Sequence, residues 1–168
     1  MKSQQPTNHE MDINTRAIYI HTYYTCTAAM DVDKLLHALN NDDNEDMIDT
    51  TTENIKETIH EIIHNLALDD ETIDNIIDKL KGYRYVDDMS TLHSGAYIRW
   101  ISLKNPNSIT LSRGALLCDI KFNDTGSSLV CKGFRNRHFQ INFDECLIFQ
   151  RLNDQERVLL SALDYLSK

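Results

Sequence analysis

The sequence predicts an α+β fold: an acidic helical unit, then a small antiparallel β-barrel or curled sheet closed by a C-terminal helix. Three observations predict it. Apolar residues recur at helical spacing through residues 31–82. Short runs of alternating apolar and polar residues fill 95–152, separated by turn-forming Asn, Asp, Gly and Pro. A final helical stripe follows in Val158, Leu159, Ala162, Leu163 and Leu166.

The 168 residues are 41% hydrophobic, enough to bury a core. No apolar run approaches the ~20 residues a membrane span needs, so no membrane partner is expected. The N-terminus is polar and lacks the apolar centre of a signal peptide, which leads us to expect an intracellular, cytoplasmic protein. Cys26, Cys118, Cys131 and Cys146 are widely spaced, three of them beside Val, Leu or Ile. Such cysteines are expected to be small buried hydrophobes rather than a structural zinc site, which needs close ligand pairs.

The net charge of −9 is uneven. Residues 1–92 hold 7 Lys/Arg against 19 Asp/Glu, and residues 93–168 hold 10 against 7. The acidic part argues against general nucleic-acid binding, and the asymmetry suggests separate contact faces. Three regions are expected: a polar N-terminus at 1–15, disordered because it holds Pro6 and no periodicity, a strand plus acidic helical unit at 16–92, and an antiparallel β module with a C-terminal helix at 93–168.

In chain order, Ala17 to Thr27 is rich in β-branched and aromatic residues and reads as a strand. Asp31 caps a helix whose Val32, Leu35, Leu36 and Leu39 are spaced as one face. Residues 40–49 read as an acidic loop. A threonine among 50–52 caps a second helix with the stripe Ile55, Ile59, Ile62, Ile63 and Leu66. Asp69 or Asp70 opens a third, with Ile73, Ile76, Ile77 and Leu80, stopped at Gly82.

Residues 83–86 read as a link or strand. Strands are then expected near 96–103, 109–112, 115–123, 127–133, 137–143 and 146–152, a count and spacing similar to SH3-type barrels. Phe139, Ile141 and Phe143 fall on one face. Asn153 or Asp154 caps the last helix, with Glu156 placed to complete a capping box.

Three patterns carry candidate chemistry. His60, Glu61 and His64 spell the His-Glu-x-x-His pattern of zinc proteases, in which the histidines hold zinc and Glu61 would activate water. The extended pattern fails: position 67 is Ala and position 70 is Asp, so Glu71, Asp74 or Asp78 would have to supply a third ligand. At 100° per residue from Ile55, His60 falls at about 140° and His64 at about 180°, away from the apolar stripe. Asp42, Asn44, Asp46 and Glu53 fall at positions 1, 3, 5 and 12 of an EF-hand-like calcium loop. There the required sixth-position Gly is Met47. Lys132, Arg135, Arg137 and His138, with Phe134 among them, form a basic hairpin able to hold phosphate or stack on a base. No nucleophile elbow, P-loop or dinucleotide-binding motif occurs.

The run from Gly95 to Ile101, together with 139–152 and Asp154-Gln-Glu, resembles small uncharacterised proteins of large DNA viruses. The likeness covers the C-terminal half and implies no activity, and it would make a virion location an alternative. The expectation is a non-catalytic protein–protein interaction or structural module without a cofactor. The alternatives are a zinc-dependent hydrolase and a nucleic-acid binder acting through the 132–138 hairpin.

Overall fold

The computed structural model describes residues 31–123 and 126–167. The expected strand over 17–27 and the expected disorder over 1–15 lie outside the described residues. Among the described residues three α-helices come first: α1 (Val32–Leu39), α2 (Thr52–His64) and α3 (Asp70–Lys79). Their N-caps are Asp31, Thr51 and Asp69, each accepting a backbone N–H from the third residue on. The acidic loop expected over 40–49 is instead a 3-10 helix, Asp42–Met47, capped by Asn41. It folds up because Met47 turns inward onto a core.

Six strands follow: β1 (Tyr83–Val86), β2 (Tyr97–Ser102), β3 (Ala115–Asn123), β4 (Gly126–Lys132), β5 (His138–Asn142) and β6 (Cys146–Arg151). Their order across the sheet is β1-β6-β2-β3-β4-β5, with every pairing antiparallel. The ladder does not return from β5 to β1, so of the two expected forms the sheet is the curled one and no barrel closes. The strand expected over 109–112 shrinks to a single bridge between Leu111 and Ile101. The chain ends in α4 (Asp154–Leu166), opened by a capping box between Asn153 and Glu156.

Alternation along the strands divides the core in two. Ile101 and Phe149 point to one face, where Ile59 and Ile63 of α2 and Ile73, Ile76 and Leu80 of the α3 region cover them. Ile98, Leu117, Leu129, Cys131 and Ile148 point into the curl, with Trp100, Phe139, Ile141 and Phe143 packed around them. The helical unit and the sheet thus share one core, and β1 carries the sheet across the charge boundary at residue 92. A third cluster joins Ala38 of α1 and Met47 to Leu159 and Leu160 of α4. At about 1.5–3 kcal/mol per fully buried aliphatic or aromatic side chain, these clusters dominate the stability.

Candidate functional site

Helix α1 forms for local reasons: an aspartate cap, three leucines and an alanine in eight residues, and no Gly or Pro. Its neighbours use only part of its apolar surface. Ala38 is fully buried and Leu35 half-buried against α4. Val32, Leu36 and Leu39, at i, i+4 and i+7, lie in line along the adjoining face and are 62%, 51% and 47% exposed. The four residues share one side of the helix, as their spacing implies, and the structure divides that side into a packed part and an exposed part. The packed line runs through Leu35 and Ala38, because α4 approaches from that side.

This apolar line is framed by carboxylates. Asp31 and Asp33 stand in its first turn, and the exposed Asp42, Asp43 and Glu45 follow its end. The Lys34 ammonium hydrogen-bonds Asp31 and, with the cap bond, holds that carboxyl below the ordinary carboxylate value. Asp31 therefore stays ionised at the edge of the stripe. Ile48, 39% exposed, extends the apolar surface past the 3-10 helix.

A buried polar junction joins β1 to the Asp42–Met47 helix and to α4. Every guanidinium nitrogen of Arg84 in β1 is engaged. Nε donates to Glu156 Oε1 at 3.0 Å, Nη1 lies 3.0 Å from Asp46 Oδ2, and Nη2 donates to the Thr91 carbonyl at 2.8 Å. Glu156 Oε2 accepts the Asn153 N–H at 2.6 Å, and His93 Nε2 stands 3.9 Å from Glu156 Oε1. Gln150, wholly buried, accepts the His93 N–H at 2.8 Å. With all polar neighbours of Arg84 fixed, the junction sets how α4 and the Asp42–Met47 helix sit, and through them α1.

Two of the four calcium-loop residues, Asn44 and Asp46, border this junction. Asn44 is buried, and its Nδ2 donates to the Ala38 carbonyl at 2.9 Å and to Gln155 Oε1 at 3.1 Å. Asp46 faces Arg84, Glu53 pairs with Lys56 at 3.6 Å on α2, and Asp42 is exposed. Three of the four side chains thus have protein partners. Among the described residues, no group of three or more His, Cys, Asp or Glu side chains is placed to hold a metal ion.

His60, Glu61 and His64 are all exposed on α2, as the helical angles imply. The two imidazoles converge, with Nε2 atoms 3.3 Å apart and ring centroids 4.2 Å apart. His60 also stands at the rim of an apolar groove of about 450 Å³ lined by Ile55, Ile59, Ile77, Leu80 and Leu160. In the basic hairpin, Lys132 and His138 are cross-strand partners and the Gly133 N–H donates to the Arg137 carbonyl at 2.8 Å. Arg135 and Asn136 both take left-handed backbone conformations, with φ of 58°. This turn puts Phe134 84% into solvent with the Arg135 guanidinium 5.4 Å from its ring centre.

Sequence reasoning missed the Arg84–Glu156 junction and the exposure of the α1 stripe. No local pattern marks the first. For the second, the acidic residues on both sides of the stripe were the available signal. No helix among the described residues is long and apolar enough to cross a membrane. No protein-family model, curated protein or solved structure matches the chain.

Proposed function

We propose that this chain is a non-catalytic protein–protein interaction module whose contact element is the uncovered apolar line of α1. One observation carries the reading: Val32, Leu36 and Leu39 form a continuous exposed line on a helix whose adjoining face is anchored in a core. An amphipathic helix with anchors at i, i+4 and i+7 suits an apolar groove on another protein. The carboxylates around it specify a groove edged by Lys or Arg, since opposite charge on the rim steers encounter and rejects acidic surfaces. Packing on α4 and the Asn44 bond to the Ala38 carbonyl hold the helix in place before binding, which lowers the ordering entropy of association.

Comparison of co-purifying proteins between the wild type and Leu36→Ser/Leu39→Ser tests this. Both side chains are exposed, so the melting temperature should hold while a stoichiometric partner disappears. The same partners recovered with both proteins would overturn the reading.

A second reading has its own observation, the solvent-facing Phe134 with Arg135 stacked on it, a pairing suited to an unpaired base. It requires a salt-dependent shift of a single-stranded oligonucleotide that is lost in Lys132→Ala/Arg135→Ala/Arg137→Ala. No shift at low salt removes it.

A further inference from the structure

We infer that His60 and His64 form a two-point chelate for a divalent transition-metal ion, on the exposed side of α2 and apart from the α1 contact line. The geometry is specific. Two histidines one helical turn apart share a face, and here their rings are turned so that the Nε2 atoms, rather than the ring edges, meet at 3.3 Å. Zinc–nitrogen bonds of about 2.0–2.1 Å at a tetrahedral angle place two donor nitrogens about 3.3–3.4 Å apart. The pair already stands at that separation.

Without metal, one Nε2–H donates to the other ring's lone pair across the same gap. When a cation takes both lone pairs, the donor ring carries its hydrogen on Nδ1. Imidazole nitrogen suits zinc, copper and nickel and is a poor ligand for magnesium or calcium.

The surroundings favour a cation. Residues 31–82 carry 15 Asp/Glu against 4 Lys/Arg, which raises the local concentration of divalent ions. Glu57 and Glu61 lie within a turn of the pair on the same exposed side of α2. Two protein ligands leave coordination positions open to water. This is a surface chelate and not the closed site of a structural zinc, and Glu61 has no catalytic part in it.

Isothermal titration of the untagged full chain with zinc chloride tests the assignment, alongside His60→Gln, His64→Gln and the double variant. One equivalent should bind the wild type, and each single change should weaken it about a hundredfold, because a lone imidazole loses the chelate advantage. His37→Gln and His138→Gln, elsewhere on the surface, should bind as the wild type does, and circular dichroism should be unchanged throughout. Wild-type affinity in either single variant would overturn the chelate, and so would the absence of stoichiometric binding by the wild type.

Discussion

Arg84 Nε donates to Glu156 Oε1 across 3.0 Å, tying the first strand of the sheet to the first turn of the last helix, 72 positions on. Both side chains are almost wholly buried, and Glu156 also closes the capping box of α4. Removing Glu156 takes the acceptor from the buried Arg84 Nε and the cap bond from the Asn153 N–H, and leaves Asp46 as the carboxylate facing Arg84. Glu156→Leu should therefore lose about 2–4 kcal/mol of stability, and urea titration measures it. Arg84→Met/Glu156→Leu removes both charges and should be less destabilised than the sum of the single changes. Some loss will remain, because the cap bond to the Asn153 N–H is gone as well.

The turn before β3 needs glycine for two reasons at once. Gly114 has φ of +96°, and a Cβ there would stand 2.9 Å from the Ile98 carbonyl oxygen and 2.5 Å from the Tyr97 ring. Gly95 has a similar φ of +87° but open space around it. Gly95→Ala should cost about 1–2 kcal/mol for the left-handed backbone alone. Gly114→Ala should cost about 1–3 kcal/mol more, since the backbone oxygen cannot move aside. Equal melting temperatures for the two variants would contradict the packing described here.

The cysteines should separate by reactivity. Cys118 is exposed, while Cys131 lies inside the curl and burial pushes its thiol from 9.0 up to about 11. Under native conditions an alkylating reagent should modify Cys118 readily and Cys131 only after unfolding. The same burial fixes a pH dependence. A thiol with a raised folded value adds stability that is complete below pH 9.0 and is lost as pH rises towards about 11. Cys131→Ala should flatten that alkaline decline, and denaturation midpoints across this range would show it.

Much of the fold was legible because its signals are local. The caps at Asp31, Thr51, Asp69 and Asn153 lie where side chains that accept backbone N–H bonds precede apolar periodicity. The helical angles placed His60 and His64 in solvent. Residues 109–112 have strand-like side chains, but only Leu111 forms a ladder bridge, because pairing is decided across the sheet. Whether a helical stripe is covered also depends on tertiary neighbours. Val32, Leu36 and Leu39 have the spacing of a buried face, yet α4 docks against Leu35 and Ala38. Arg84 and Glu156 stand 72 positions apart and are brought together by the pairing of β1 with β6.

A photo-crosslinking residue in place of Leu36 tests the α1 contact line most directly. Activated in an extract of the native host, with the same residue in place of Glu71 on α3 as control, it should join one other polypeptide in good yield from position 36 alone. Adducts confined to this chain's own residues, or identical adducts from both positions, would contradict α1 as the contact element.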